Sequence, residues 1–278
     1  MEEKKARIAR FRPIDDELFQ ALAQRKSVCE EMLRTILEDQ ALTVQETVVQ
    51  ASLSNLSGRT VRLDALCTLG SGKKVDIEVQ RADNDDHFRR ARFYASAITV
   101  NSTDKGTLFR DVQDVYIVYI TEHDFIGKGK TVYHVEKFFR EDREAAVDDG
   151  LYEIFVNTAV YDGTDIAELM RCFRQNRIDH PKFPVLSTAV KELKETKGGV
   201  SEMSEIMEEY AKEYAKEYAK EYAKEYAKEY AKEYAKEKII EAFSAADASA
   251  EAFMRRHGIS EEQILEFRKE NAEKRNRS

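Results

Sequence analysis

The stretch VRLDALCTLGSGKKVDIEVQ, residues 61–80, decides the fold because it predicts two strands joined by a tight turn. Gly70-Ser71-Gly72 can form a three-residue hairpin loop, with a glycine available for the left-handed position. Leu69 then pairs with Lys73, and counting outward from this pair places Asp64 directly opposite Glu78. Because like charges facing each other across a sheet are destabilising, this acidic pair needs an explanation.

Alternation along both strands supports the register. The odd-numbered residues, 61–69 and 75–79, are all apolar, whereas the even-numbered ones are nearly all polar. A shift of one residue would mix the two sets. We therefore expect one face of the hairpin to pack on a core, while the other face concentrates carboxylates.

Three explanations of the acidic face stay open at this point. It can be an ordinary solvent-facing sheet, or a charge network in which Arg62, Lys73 and Lys74 neutralise the acids. It can also be a Mg²⁺ site, because oxygen ligands from two strands suit this ion and leave water positions for a substrate phosphate. A cation would relieve the repulsion between Asp64 and Glu78, polarise the phosphate and lower the pKa of an attacking water.

Sequence on both sides of the hairpin predicts further strands and helices. Residues 112–121 are apolar on both faces, which is typical of a central strand. Helical spacing of apolar residues begins after Pro13 and recurs after residue 83. The other predicted strands are 44–53, 130–138 and 151–160, and the predicted helices are 16–37, 83–100 and 165–174.

The hydrophobic residues and the cysteines of the sequence indicate the cellular compartment of the protein. The 278 residues are 42% hydrophobic, contain no apolar run of membrane-spanning length, and begin without the apolar core of a signal peptide. Cys29, Cys67 and Cys172 are far apart and form no CxxC pattern, which argues against a disulfide framework or a zinc site. We expect a cytoplasmic protein without a membrane partner.

Charge is unevenly distributed. The net charge is −8, yet residues 1–100 hold 16 Lys and Arg against 16 Asp and Glu. Basic residues cluster at 4–12 and 89–92 within this neutral part. Such patches can contact phosphates whatever the global charge.

A perfect four-residue repeat follows the compact part, with tyrosine at 210, 214, 218, 222, 226, 230 and 234 and Ala-Lys-Glu between. Alanine, lysine and glutamate predict a long helix. Because four residues exceed one helical turn, the tyrosine row drifts by about 40° per repeat and cannot hold a straight seam. We interpret the repeat as a solvated helix; the alternative is a segment that binds a partner or makes the chain a homo-oligomer. A short helix over 260–274 opens with a capping box, Ser260 to Gln263.

Several motifs together resemble a known family. Asp64, followed at the end of the next strand by Glu78-Val79-Gln80, resembles the PD-(D/E)XK nuclease motif. Within that superfamily the chain is similar to the recombination-promoting nuclease or putative transposase group. Residues 77–80, Ile-Glu-Val-Gln, resemble its Ile-Glu-Met-Gln strand; residues 16–19 match its Asp-x-x-Phe, and residues 90–94 its Arg-x-x-Tyr-Tyr with Phe93 for the first tyrosine. Residues 104–120 are similar to its segment leading into the central strand, and the resemblance covers about 11–175.

The resemblance implies an α/β fold with a restriction-endonuclease-like core, a mixed sheet flanked by helices, and a long helical C-terminal extension. We expect a nuclease-like domain over 11–184, a linker over 185–200, a long helix over 201–247, and a short helix and tail over 248–278.

The resemblance also implies a Mg²⁺-dependent DNA endonuclease linked to recombination or transposition. Asp64 and Glu78 would ligate the ion. Gln80 stands where the superfamily has a lysine that orients the attacking water; it can hydrogen-bond the water but carries no positive charge. This departure and the negative net charge motivate the alternative, a catalytically weak or inactive DNA-binding or assembly protein on a nuclease fold.

Residues outside the hairpin complete the expected site. Asp16, or Glu30 or Glu31 on the same helical stretch, is a candidate for a second metal or its water, although we favour the role of a helix N-cap for an acid at 15–16.

The expected DNA contacts are Arg89, Arg90 and Tyr94. Arg90 and Tyr94 share a helix face, but they also fit an exposed arginine and a core tyrosine. His87 is interpreted as a bystander.

Overall fold

The structure is a computed structural model that describes residues 2–54, 60–82 and 86–275, and the side chains of these residues except at 217, 221, 235–247 and 272–275. The chain divides into two compact units, the first ending at Tyr210 and the second beginning at Ala211. The helices of the first unit are α1 (Glu2–Ile8), α2 (Asp16–Ala23), α3 (Lys26–Ile36), α4 (His87–Ser102), α5 (Asp165–Phe173), α6 (Pro184–Glu195) and the beginning of α7 (Lys197–Arg256). Its strands are β1 (Val44–Ser54), β2 (Thr60–Leu69), β3 (Lys74–Gln80), β4 (Val115–Thr121), β5 (Val132–Val135) and β6 (Leu151–Asn157).

The six strands form one mixed sheet in the order β1-β2-β3-β4-β6-β5. The first three strands make an antiparallel meander, β3, β4 and β6 run parallel, and β5 pairs antiparallel with β6. β4 lies inside the sheet and is buried at every position except the half-buried Tyr116, which confirms the predicted central strand. The α/β class and the mixed sheet flanked by helices are likewise confirmed.

The predicted hairpin register is also confirmed. Four pairs are formed, from Thr68 opposite Lys74 to Ala65 opposite Ile77. The Leu69 N–H donates to the Lys73 carbonyl oxygen at 2.9 Å. Gly72 has a φ of 85° and takes the left-handed position of the loop. The Gly-Ser-Gly turn therefore determines which residues of the two strands meet.

The apolar residues of the hairpin pack in two cores, whereas the prediction expected one core. Near the turn, Ala65 and Cys67 join the core formed with α2, α3, α5 and α6. Beyond Asp64, Val61 and Leu63 pack instead into a second core beneath α4. Across β1, the residue between the partners of Leu63 and Ala65 is Gln50, a non-glycine residue with a left-handed φ of 55°. Gln50 thus departs from the extended conformation of β1 at the point where β2 passes from one core to the other.

The predicted helix over 16–37 is interrupted. α2 ends at Ala23, and α3 begins at Lys26 after an extended Arg25. The Arg25 guanidinium donates to the Ala21 carbonyl oxygen at 2.6 Å and so satisfies an acceptor that continuation of the helix would have used. Apolar periodicity continues across the break, which is why the sequence alone did not reveal it.

Residues 185–200 are not the predicted linker; they form most of α6 and the beginning of α7. Both helices contribute to the first core, with the buried residues Leu186, Ala189, Val190, Leu193, Val200, Met203 and Ile206. Gly199, which suggested a flexible segment, allows a close approach instead: a Cβ there would lie 2.2 Å from the Glu192 carbonyl oxygen. The compact unit therefore extends to Tyr210.

The second unit is helical in its described residues. α7 continues to Arg256, past the predicted boundary at 247, and α8 (Glu261–Arg275) follows. The capping box is formed, with the Ser260 N–H donating to Gln263 Oε1 at 3.2 Å and the Gln263 N–H donating to Ser260 Oγ at 3.4 Å. The repeat tyrosines from 214 to 234 are 51–65% exposed, as expected of a solvated helix. Oligomerisation through this helix stays a prediction.

No helix in the described parts of the chain is long and apolar enough to cross a lipid bilayer.

Met203→Ala tests the extended core. We expect a loss of about 2–5 kcal/mol in the free energy of unfolding, because the side chain is fully buried and its removal leaves a cavity. Urea denaturation of the full chain measures this. Glu205→Ala, an exposed position in the same turn, should change stability by no more than about 0.5 kcal/mol. Equal effects of the two substitutions would contradict the assignment of this segment to the core.

Candidate active site

Backbone pairing between β2 and β3 stops at Ala65 and Ile77. Beyond this pair, side-chain carboxylates bind backbone N–H groups of the opposite strand. The Asp64 N–H donates to Glu78 Oε1 at 2.9 Å, and the Val79 N–H donates to Asp64 Oδ2 at 2.9 Å. These side-chain bonds hold the two strands together where their backbone pairing ends. The structure therefore brings the two predicted acids together where the strands cease to pair.

A third acid, Asp76, belongs to this cluster and was missed by the sequence analysis. It lies two residues before Glu78 on the same face of β3, and its side chain is completely buried. Neither Asp76 oxygen accepts a hydrogen bond from a donor in the described part of the chain. Alternation had suggested a solvent-facing position, but β3 lies inside the sheet and both of its faces are covered.

Burial and neighbouring acids raise the pKa values of all three carboxyl groups. Burial, with the charge of Asp16 added, raises the pKa of Asp64 to about 7. Burial and then the charges of Asp64 and Asp76 hold the pKa of Glu78 well above its usual range. Burial and the charge of Asp64 act in the same direction on the pKa of Asp76. Ionising the whole cluster is costly without added positive charge.

These features fit a hard divalent cation, which prefers carboxylate oxygens and compensates crowded negative charge. Two buried Asp76 oxygens without a donor point the same way. Within residues 2–54, 60–82 and 86–275, no three ligand side chains surround one point as a formed metal site would. Asp64 and Glu78 each give one oxygen to a backbone N–H, so a cation would engage their second oxygens.

Gln80 lies at the end of β3, two residues beyond Glu78 and partly exposed. Its side-chain Nε2 donates to the Ala82 carbonyl oxygen at 3.2 Å. The structure thus places Gln80 on the strand that carries the acids, and its carboxamide is turned toward the loop that follows.

Asp16 stands in the first turn of α2, close enough for its charge to raise the pKa of Asp64. The Tyr210 hydroxyl donates to Asp16 Oδ2 at 2.8 Å. Burial raises the pKa of Asp16, whereas the hydrogen bond from Tyr210 and the nearby Arg81 lower it. Asp16 is therefore an acidic neighbour of the hairpin cluster.

Charged side chains hold the segment before Asp16 against the ends of β3 and β4. Asp15 pairs with Arg12 at 2.9 Å and with Arg81 at 3.1 Å, and Glu122 pairs with Arg12 at 2.7 Å and with Arg81 at 3.3 Å. Asp15 occupies the N-cap position of α2, but its side chain makes no capping bond to the helix. The favoured prediction that an acid at 15–16 caps the helix through its side chain is therefore wrong.

Glu30 and Glu31 stabilise the fold by accepting hydrogen bonds from backbone N–H groups of other elements. Glu30 Oε2 accepts from the Val44 N–H at 2.8 Å, and Glu31 accepts from the first backbone N–H groups of α6, those of Val185 at 3.1 Å and Leu186 at 2.8 Å. An acid at a helix N-terminus is stabilising. These contacts account for both residues without a second metal, which leaves Asp16 as the better candidate.

α4 places Arg90 and Tyr94 beside the acids. Burial, followed by the charge of Glu78, raises the pKa of Tyr94 to about 12, which shows that the phenol and Glu78 are neighbours. Arg90 pairs with Asp86 at 3.2 Å, while its buried Nε has no hydrogen-bond partner among the described residues. Arg89, one position earlier, is exposed on another face of the helix.

His87 is buried at the beginning of α4. Its ring centroid lies 4.3 Å from that of Phe125, and Nδ1 lies 3.4 Å from the Tyr119 hydroxyl. These contacts place it in an aromatic cluster beside the site.

Because the carboxyl groups of the cluster have raised pKa values, we predict that the protein becomes less stable as the pH rises. Without divalent metal, the free energy of unfolding should fall as the pH rises from about 4 to about 7, because the unfolded chain releases protons that the folded cluster retains. Urea denaturation in EDTA across this range measures the slope. Glu78→Gln should flatten it and raise stability at pH 8, whereas the exposed Glu46→Gln should leave it unchanged. A native slope of zero would show that the cluster is not under electrostatic strain.

Comparison with known proteins agrees with this geometry. The sequence model of a family described as PD-(D/E)XK nuclease family transposase matches residues 18–238, which includes the hairpin, α4 and the repeat. Searches of curated proteins and of solved structures return no match. Since the family match spans most of the chain, this protein belongs to the PD-(D/E)XK nuclease family transposases.

Proposed function

We propose that the chain is a Mg²⁺-dependent DNA endonuclease that hydrolyses phosphodiester bonds in recombination or transposition. The observation that carries the proposal is the proximity of Asp64, Asp76 and Glu78 where the β2–β3 ladder ends. Three neighbouring acids with raised pKa values, two of them buried, destabilise the fold unless a ligand compensates them. Family membership supports the same reaction class.

Asp64 and Glu78 would hold the cation, and Asp76 adds negative charge behind them. Bound Mg²⁺ supplies polarisation of the scissile phosphate and activation of a water. The Gln80 carboxamide can turn from the Ala82 carbonyl to accept a hydrogen bond from that water and orient it. Being neutral, it adds no charge to stabilise the transition state.

Arg90 would bind a phosphate of the substrate. Its guanidinium lies beside Tyr94 and Tyr119 near Glu78, and its Nε lacks a partner in the described structure. The Arg90 side chain is 31% exposed, so the accessible part of its guanidinium can donate to a phosphate oxygen, and charged hydrogen bonds of this kind are strong and directional. Arg89 would contact the DNA backbone from the exposed side of α4, and Tyr94 would support Arg90.

A second candidate function is DNA binding or assembly without efficient cleavage. Gln80 in place of a lysine, its bond to Ala82 and the lack of a formed three-ligand cluster among the described residues favour it. Its signature would be salt-sensitive DNA binding that does not require metal.

Nicking of supercoiled plasmid in Mg²⁺ tests the endonuclease. Asp64→Ala and Glu78→Ala should each lower the rate by about 100-fold or more, the loss typical when transition-state charge is no longer stabilised. Glu46→Ala, which removes an exposed carboxylate from β1, should leave the rate unchanged. Equal rates in the native chain and both site variants would assign the activity elsewhere, and DNA binding with no cleavage would favour the second candidate.

Arg90→Ala and Arg89→Ala separate phosphate binding at the site from contacts at its edge. We expect Arg90→Ala to weaken DNA binding by about tenfold, to lower the turnover rate and to reduce the salt dependence by about one phosphate contact. Arg89→Ala should weaken binding with turnover unchanged. Fluorescence anisotropy at several salt concentrations, combined with single-turnover cleavage, distinguishes the two. Identical turnover losses in both variants would contradict the placement of Arg90.

A further inference from the structure

Tyr210 is the first tyrosine of the repeat, and its environment differs from that of the next six. Its side chain is half-buried, and its hydroxyl donates to Asp16 Oδ2 at 2.8 Å. Tyrosines 214 to 234 are more than half exposed. The repeat therefore begins with a residue committed to the first compact unit, at the last position of that unit.

Packing at the beginning of α7 fixes the position of Tyr210. Val200, Met203 and Ile206 recur every three residues and are buried in the core. Arg25 forms a bidentate pair with Glu202, with both distances 2.9 Å. Tyr210 follows Ile206 by four residues and so lies one helical turn beyond it on the same face. A hydroxyl held on a packed helix loses little further entropy in binding a carboxylate.

The Tyr210 hydroxyl lies near Asp64 as well as near Asp16. Burial, followed by the charges of Asp16, Glu17 and Asp64, raises the pKa of Tyr210. The charge of Asp16 acts in turn on Asp64. The hydroxyl, Asp16 and Asp64 therefore form one connected group at the edge of the acidic cluster.

We propose that Tyr210 is a positioning residue of the nuclease site: its hydroxyl holds the Asp16 carboxylate toward Asp64, so that the beginning of α7 completes the site. This inference rests on the proposed function and deepens it, because it assigns Asp16 and residues 197–210 to the binding of a divalent cation. A neutral donor suits the task, since it fixes one oxygen of Asp16 and leaves the other oxygen and the negative charge for the cation or its water.

Full-length Tyr210→Phe tests the inference, with Tyr214→Phe as the matched control. Both remove one hydroxyl from the same repeat, but Tyr214 is 65% exposed. Calorimetric titration with Mn²⁺ alone, without DNA, should show affinity about tenfold weaker in Tyr210→Phe and unchanged in Tyr214→Phe. In plasmid cleavage, the Mn²⁺ concentration for half-maximal rate should rise by the same factor, while the rate at saturating Mn²⁺ stays within about twofold. A merely structural role would not separate these two quantities.

Asp16→Asn provides a second, independent variant. It should weaken Mn²⁺ binding at least as much as Tyr210→Phe, and adding Tyr210→Phe to it should cause no further loss, because both act through the same carboxylate. Additive losses in the double variant would overturn the inference. Mn²⁺ affinity in Tyr210→Phe equal to that in Tyr214→Phe would also overturn it.

The calorimetry separates this inference from the proposed function. A native chain that binds Mn²⁺ but cleaves no DNA overturns the endonuclease, while the positioning role is still decided by the Mn²⁺ affinities of the variants. A native chain that binds no Mn²⁺ overturns both.

Discussion

The reciprocal bonds at Asp64 and Glu78 are the interaction on which the candidate site depends. Each acid lies just beyond the last paired residues of the hairpin, and each accepts from a backbone N–H of the other strand at 2.9 Å. These bonds hold two like charges side by side at the end of a paired segment. Ionising these carboxyl groups is therefore unfavourable, as the raised pKa values of Asp64, Asp76 and Glu78 indicate. A divalent cation is the simplest ligand that would stabilise the ionised carboxylates, and their repulsion would thereby favour its binding.

Elements distant in sequence converge on the same place. Arg12, Asp15, Arg81 and Glu122 fix the N-terminal segment against the ends of β3 and β4, which brings Asp16 to the site. The packed beginning of α7 brings Tyr210 to Asp16. α4 covers the other side with Arg90 and Tyr94. The hairpin thus supplies the acids, and three further elements fix what surrounds them.

Local sequence patterns predicted the hairpin and its register, because a strict two-residue alternation and a glycine turn allow only one pairing. They also predicted the central β4, whose residues are apolar on both faces. The features that were missed depend on tertiary packing. Asp76 resembles a solvent-facing residue until both faces of β3 are known to be covered, and Gly199 resembles a linker residue until Glu192 is known to pack against it. The break between α2 and α3 keeps the apolar period and so leaves no signal in the sequence.

Diffraction from crystals soaked in Mn²⁺ tests most directly whether the hairpin acids form a cation site. We expect an anomalous difference peak within about 2.5 Å of oxygens of both Asp64 and Glu78. Binding would require the second oxygen of each carboxylate to turn inward while its bond to the backbone N–H is kept. A peak bound to other residues, or no peak at Mn²⁺ concentrations that support cleavage, would contradict the account.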